Sequence, residues 1–349
     1  MIRIRIERLR PQGAGSYDQF LRRHPEALFY HSSKNKEFLK SLLECEEHYL
    51  LALDGDRICG ALPLLFMESQ GKYVYNSLPF YGSNGGIIAD NALAYCELAG
   101  AYKEIAGRES TISSTIISNP FAQRDSEDLP HNLTDYRIAQ FTEIEFAGNH
   151  RAEIMSRIDS SARRNVTKAT REGVNVKIDD SKLERLREMH QANMNAIGGM
   201  AKADQFFSLI PRHFVSGRDF DLYVAEKDGL VIAGLLLLYF NETVEYVTPA
   251  IDAEYRTFQP LSLILIEAMT DASRRGFRWW NWGGTWSTQM GVYRFKKKWG
   301  AAERHYNYYV QLNDSSILEW SQERILDTFP HFYVAPFSAL KKQEQNHGG

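Results

Sequence analysis

Cysteine is scarce: Cys45, Cys59 and Cys96 are the three in 349 residues, and no two are close. An odd, scattered set excludes a disulfide framework or a cysteine-rich zinc site and fits a reducing cytoplasm, each thiol serving as a small buried hydrophobe. Long apolar runs are missing too. The longest, Leu230 to Phe240, falls well short of the roughly 20 residues that a spanning helix needs, so no membrane crossing is expected. The opening MIRIRIERLRPQG alternates apolar and basic residues without an apolar core, which reads as a first strand rather than a signal peptide. Neither charge dominates: 41 Lys plus Arg face 44 Asp plus Glu, a net charge of -3, which excludes a uniformly basic nucleic-acid coat. Nucleophile apparatus is absent, with no G-x-S-x-G and no H-E-x-x-H. The ten histidines show no metal-ligand spacing, so no metal is expected.

What is present is an ordinary globular composition, 44% hydrophobic and 24% charged, of a length suited to two domains or one large one. Two segments share one construction: HYLLALDGDRICGALPLLFM from His48 and DLYVAEKDGLVIAGLLLLYF from Asp221. Each reads as a strand, an Asp-Gly hairpin and a longer apolar strand. Their alanines, Ala52 and Ala225, are 173 residues apart, about half the chain. A strand, a helix and a strand then follow in both halves: Lys72 to Leu78, Asn91 to Ala106 and Thr111 to Ser118, against Thr243 to Ala250, Pro260 to Arg275 and Phe277 to Trp282. The pattern predicts two copies of one α/β unit. Tyr136 to Phe146 alternates as a strand that closes the first copy. The expected division is 1–148, 149–314, and a C-terminal helix and tail over 315–349, disordered from Gln343.

The near-neutral charge is uneven. From Arg151 to Lys177 seven Lys/Arg stand against three acids, and from Arg274 to Arg304 eight stand against one, leaving the remainder at about -14. Such islands can form a basic cleft that orients a phosphorylated ligand, or be solvated helix faces. In SSARRNVTKATREGV a Ser pair is placed as helix cap and Gly173 as stop, which puts Arg164, Lys168 and Arg171 on one face. In the second island WWNWGGTW precedes GVYRFKKKWG, an interleaving suited to base stacking with phosphate neutralisation. Some of Trp279, Trp280, Trp282 and Phe295 must nevertheless be core, since strand neighbours alternate faces.

The run ARRNVTKATREGVNVKI resembles the R-x-N-x-x-K-A-x-x-x-G-V stretch of the Fem-type peptidyl/aminoacyl transferases. FRWWNWGGTWSTQMGVYRFKKKWGA resembles their strand, Gly-Gly turn and Y-x-F-K segment, and SLPFYGSNGGIIAD looks like their N-terminal half. The resemblance runs from about Phe29 to Leu312. It implies an α/β (α+β) fold: a tandem pair of GNAT-like domains, each a mixed twisted sheet flanked by helices. It also implies amide-bond formation, an amino acid moving from its transfer-RNA ester to an amine on a phosphorylated or nucleotide-linked cell-envelope or polysaccharide precursor. A cytoplasmic enzyme with peripheral contact at the inner membrane face would follow. The long helical hairpin that many peptidoglycan-bridge members insert has no room between Gly173 and Asp221. The donor loop Tyr255-Arg256-Thr257-Phe258-Gln259-Pro260-Leu261-Ser262 has no glycine, and Pro260 lacks an N–H; this favours aminoacyl-tRNA over an acyl-CoA as donor, with no tightly bound cofactor. In the first half Gly85 and Gly86 read as a turn.

Aminolysis needs an amine near the carbonyl, a stabilised oxyanion and a proton for the leaving oxygen. The resemblance makes Lys296 the cation at the oxyanion or a donor phosphate, with Phe295 as a stacking wall; a solvated face of Lys296, Lys297 and Lys298 is the alternative. Arg164 and Lys168 would meet acceptor phosphates, and Arg256, beside Tyr255, a donor phosphate. Tyr81, Asn84 and Tyr246 would line the acceptor cleft, Tyr246 alternatively being a half-buried strand tyrosine. Asp252 and Glu254 are the nearest acids able to take a proton, unless they only solvate a loop. Two other readings stay open: an acyl-CoA-dependent N-acyltransferase acting on an amino sugar or small amine, and a non-catalytic binding module of the same fold.

Overall fold

The structure, a computed structural model, describes residues 3–80, 85–122, 128–285 and 289–341. In chain order the elements are β1 (Ile4–Arg8), α1 (Ala14–Arg22), α2 (Ser33–Leu43), β2 (Glu46–Glu47), β3 (Leu50–Asp54), β4 (Arg57–Leu62), β5 (Leu65–Ser69), β6 (Lys72–Asn76), β7 (Ile88–Ala89), α3 (Ala92–Ala106), β8 (Thr111–Ile117) and β9 (Leu133–Glu143). There follow α4 (His150–Arg157), α5 (Ser160–Arg171), β10 (Asn175–Ile178), α6 (Leu183–Ala196), α7 (Asp204–His213), β11 (Phe220–Lys227), β12 (Leu230–Phe240), β13 (Thr243–Ile251), α8 (Pro260–Arg274), β14 (Trp279–Thr285), α9 (Met290–Lys297), β15 (Ala302–Leu312) and α10 (Gln322–Thr328). No helix among the described residues is long and apolar enough to cross a membrane.

The repeat is real down to its irregularities. The β3–β4 hairpin turns on Gly55–Asp56, with Gly55 at φ 61°, and the β11–β12 hairpin turns on Asp228–Gly229, both at positive φ (51° and 79°). Positive φ at such turns matches the right-handed strand twist, which is why Asp and Gly recur there. Each ladder also shifts register just after the corresponding alanine, between Ala52 and Leu53 and between Ala225 and Glu226. The copies diverge at Pro63. Without an N–H it cannot continue a central ladder, so the long strand of the second copy, β12, is matched in the first by two short ones, β4 and β5, in separate sheets.

The chain forms two compact units, residues 1–137 with 305–349, and 138–304. This differs from a division at 148 with a separate tail, and ladder pairing is the reason. From Ile138 to Glu143, β9 runs antiparallel to β14 and so belongs to the second copy's sheet, ordered β10-β11-β12-β13-β14-β9. Conversely β15 pairs with β8 through Tyr308 to Leu312, inside the first unit. Each copy's last strand thus completes the other copy's sheet. The first unit has the sheets β1-β3-β4-β7 and β15-β8-β6-β5-β2. Its C-terminal segment is bound, not free. Asn76 Nδ2 donates to Tyr333 O at 2.9 Å, Asn76 Oδ1 accepts the Tyr333 N–H at 2.6 Å, and Ser113 Oγ donates to Val334 O at 2.5 Å. The expected disorder from Gln343 lies outside the described residues.

In the second unit α8 packs against β11, β12 and β13 on one side and is covered by α4 and α5 on the other. That doubly buried position explains LSLILIEAM, apolar around most of its circumference. On the opposite face α6 approaches β12 at Gly234, where a Cβ would come within 3.0 Å of Leu186 Cδ1. Cys45 and Cys59 are buried as expected, and burial pushes the Cys45 thiol up to about 12, but Cys96 is exposed on α3 because its helical position faces away from the sheet.

Candidate active site

The second unit's sheet opens at one place. β13 and β14 are parallel neighbours over only three pairs, Thr243 with Trp279, Val244 with Trp280 and Glu245 with Asn281. Beyond them β13 follows β12 to Ile251 and β14 follows β9 to Thr285. A bulge on β13 between Tyr246 and Thr248 sets Val247 out of the β12 register just past the parting, and bulges re-aim backbone groups beside clefts. Thr248, fully buried, has no hydrogen-bond partner for its hydroxyl among the described residues.

Aromatic rings wall this opening. The Tyr246 ring lies 5.0 Å from that of Trp282, which meets Phe295 edge-on at 6.1 Å. Burial pushes the Tyr246 phenol far above its ordinary range, so it stays an O–H donor. Trp282 donates its indole N–H to Thr142 Oγ1 at 2.9 Å, and Thr142 donates to Trp299 O at 3.0 Å, which locks the cluster. Trp280, Trp282 and Trp299 are each at most 2% exposed. They are core, so the expected base-stacking surface does not form from them. Trp279 is covered by the Arg278 and Arg304 guanidinium groups, 5.1 and 4.9 Å from its ring centroid. The second basic island is therefore split: Arg278 and Arg304 sit at one end of β14 and Lys296 at the other, about 20 Å apart for a seven-residue strand.

Lys296 is not part of a solvated face. It is 4% exposed whereas Lys297 and Lys298 are exposed, because α9 turns only that lysine toward the end of β14. Its Nζ donates to Gly283 O at 3.2 Å, Gly284 O at 3.1 Å and Thr285 Oγ1 at 2.8 Å, which uses all three ammonium donors. No carboxylate among the described residues lies in ion-pair distance of it, and burial alone brings its pKa down to about 8. Thr285 in turn donates to Gln140 Oε1 at 3.1 Å, and Gln140 Nε2 reaches Tyr293 O on α9 at 3.3 Å.

The N-cap of α5 is Asp159, not the serine pair: Asp159 Oδ1 accepts the Ser161 N–H at 2.7 Å, since a carboxylate one residue earlier reaches the orphan donor. Gly173 is the stop, at φ 74°, with Val174 N bonded to Ala169 O and Gly173 N to Thr170 O. Asp159 N–H also donates to Lys298 O at 2.8 Å, tying the start of α5 to the end of α9. The Arg164 and Lys168 helix is thus joined to the Lys296 helix. Arg164 is exposed, Lys168 half-buried, and neither forms an ion pair among the described residues.

The remaining expected residues lie in the turn before α8. Asp252 is engaged on both oxygens: Arg185 holds one at 2.7 Å and the Glu254 N–H the other at 3.2 Å, so it braces the turn. Glu254 and Arg256 are exposed. Asp252, Glu254 and Tyr255 line a cavity of about 450 Å³ with Lys182, Arg185 and Glu226, and that lining does not include Tyr246, Phe295 or Lys296. Tyr81 and Asn84 lie outside the described residues. Sequence reasoning missed Glu245, Asn281, Gln140 and Val247. Glu245 and Asn281 had a signal, a polar residue between large apolar neighbours; Gln140, in a strand rich in polar residues, and the bulge at Val247 had none.

A family model for the acetyltransferase (GNAT) domain matches residues 156–297. The chain is similar in structure to FemX, with TM-score 0.72 at 16% identity over 87% of this chain and 97% of that one. It is similar to the C-terminal (DUF2156) domain of a putative lysylphosphatidylglycerol synthetase from Agrobacterium fabrum, with TM-score 0.58 at 11% identity over 93% and 99%. A tandem GNAT protein from the clavulanic acid biosynthesis pathway matches with TM-score 0.51 at 10% identity over 88% and 98%. No curated protein sequence matches. The opening between β13 and β14, with Lys296 at its edge, lies in the matched region: residues 156–297 are a GNAT acyltransferase domain, carried in a chain of tandem GNAT fold.

Proposed function

We propose that this domain forms an amide bond, moving an aminoacyl group from the ester of aminoacyl-tRNA to an amine on a phosphorylated or nucleotide-linked cell-envelope or polysaccharide precursor. The observation that carries the donor is the start of α8. Pro260 has no N–H, Gln259 before it is held at φ 59°, and the Ser262 N–H is returned to Gln259 O at 3.0 Å. The backbone donors that a coenzyme A pyrophosphate takes at a helix start are removed or occupied. FemX, the best-superposing of the structures above, is a Fem-type transferase, which supports the same donor class.

At the parting of β13 and β14 the acceptor nitrogen adds to the ester carbonyl. The C–N bond forms, the C–O bond breaks, and the proton lost by nitrogen goes to the leaving ribose oxygen. Charge develops on the carbonyl oxygen, and the Lys296 ammonium, lacking a carboxylate partner, stabilises it by giving up one of its carbonyl contacts; the Val247 N–H adds a second donor. Phe295 and Tyr246 hold the acyl group and exclude water, and the Arg164–Lys168 face of α5 takes the acceptor's phosphates.

Thermal-shift titration separates the donors. Saturable stabilisation by charged tRNA and none by acetyl-CoA is expected, and the reverse overturns the donor assignment. Exposed Arg256, at the mouth of that turn, is what favours the acyl-CoA reading. Lys296→Met should lower transfer by at least about tenfold, losses of one oxyanion donor commonly being ~10²–10³, with the melting temperature nearly kept.

A further inference from the structure

The last β13–β14 pair is polar and sealed. Glu245 and Asn281 are 1% and 0% exposed, Glu245 between Val244 and Tyr246 and Asn281 between Trp280 and Trp282. Asn281 Nδ2 donates to Glu245 Oε2 at 2.7 Å, and Asn281 Oδ1 accepts the Gly283 N–H at 2.8 Å. Immediately after Asn281 the β14–β9 ladder slips: Asn281 faces Phe141, but the next paired residue is Gly284, facing Ala139. Trp282 and Gly283 are thereby out of the ladder, with Gly283 at φ 74°, a conformation that glycine adopts without a Cβ penalty. The peptide so turned offers its Gly283 carbonyl, with that of Gly284, to Lys296.

We propose that Asn281, anchored by Glu245, is the positioning residue that holds the Gly283–Gly284 turn and through it the Lys296 ammonium. The path runs from a buried carboxylate, through one amide that donates on one side and accepts on the other, to a peptide whose carbonyl grips a buried cation. An amide fits there because its NH2 donates to Glu245 while its separate carbonyl oxygen accepts from Gly283. The lysine is held by neutral oxygens instead of an ion pair, which keeps its charge available. Its low pKa, about 8, is what such a site produces.

The inference rests on Lys296 being the working cation, but its test does not. Exchange of the Gly283 amide hydrogen and acetylation of Lys296 by acetic anhydride, normalised to exposed Lys297 and Lys298, are read by mass spectrometry in the intact protein. Asn281→Asp keeps the acceptor for Gly283 but sets two carboxylates together. It should raise both rates at least about tenfold, the factor that 1.4 kcal/mol represents. Adding Glu245→Gln restores a donor opposite an acceptor and should return both rates to within about threefold of wild type. Wild-type rates in folded Asn281→Asp, or no return in the double variant, overturn the proposal. Where Asn281→Asp alone does not fold, the double variant decides: wild-type rates support the lock and raised rates overturn it. Transfer with charged tRNA is measured alongside. Its absence in the wild type would overturn the donor reading while leaving the lock standing or falling on the two rates.

Discussion

Lys296 combines two facts that ordinarily exclude each other, deep burial and no ionic partner. Three neutral oxygens satisfy its donors, yet burial still lowers its pKa from the ordinary 10.5 to about 8. Between those two values the unfolded chain binds this proton and the folded chain does not. Stability therefore rises with pH across that window, by about 3 kcal/mol in all at ~1.4 kcal/mol per pKa unit, and this contribution is lost as pH falls through about 8. A cation-dependent step runs the other way and fades as pH climbs past about 8. Urea unfolding at pH 7.5 and 9.5 should show the rise in wild type and not in Lys296→Met, while transfer falls over the same interval. A pH-independent difference between the two proteins would mean that Lys296 titrates normally. Neighbouring Lys297 pairs with Glu303 at 3.6 Å in solvent, and nothing in the string KKK distinguishes it from Lys296. What separates them is which side of α9 meets β14.

Elements written in local pattern were legible: both hairpins in their Asp-Gly turns, α8 in its apolar stretch, and the end of α5 in Gly173. Elements defined by distant partners were not. β9 alternates like any closing strand, and nothing in it says that its ladder is with β14, some 140 residues on. The parting of β13 and β14 was likewise invisible, because it is the absence of a ladder beyond Glu245. Glu245 and Asn281 are each noticeable between apolar neighbours, but that they fall opposite each other inside a core shows only once the strands are paired. The α5 cap was misassigned for a smaller reason, since Asp159 and the serines compete for the same orphan N–H and the carboxylate wins. Asp159→Ala should therefore cost about 1 kcal/mol by denaturant unfolding, within the usual range for a cap. Ser160→Ala should cost nothing measurable. Equal losses for the two would return the cap to the serine.

The two copies share a plan, but the parting occurs in one. In the first unit β6 and β8 are parallel over Tyr73 with Thr111 through Asn76 with Thr115, and stay joined past that point. Ser77 N–H donates to Thr115 O and Ile117 N–H to Ser77 Oγ, each at 2.9 Å. Gly85 and Gly86 close the same place: a Cβ at Gly85 would come within 2.6 Å of Ser77 Oγ, and one at Gly86 within 3.0 Å of Ile117 O. The pair exists for close packing, and the C-terminal segment then covers the strand ends through Asn76, Ser113 and Thr115. A duplicated transferase fold has thus kept an opening in its second unit and spent the equivalent strands of the first on holding its own tail. Asn76 tests this division. It is fully buried, and Asn76→Ala removes its bonds to Tyr333, leaving the Tyr333 N–H without its acceptor while Tyr333 O keeps Thr115 Oγ1 at 3.2 Å. At ~1–3 kcal/mol for an unsatisfied group, a loss of that order is expected, seen as an earlier denaturant transition and faster proteolysis between residues 329 and 341. Donor binding by the second unit, read by thermal shift with charged tRNA, should be kept. If donor binding is lost while stability is unchanged, Asn76 acts in the site and the first unit is a working half of it.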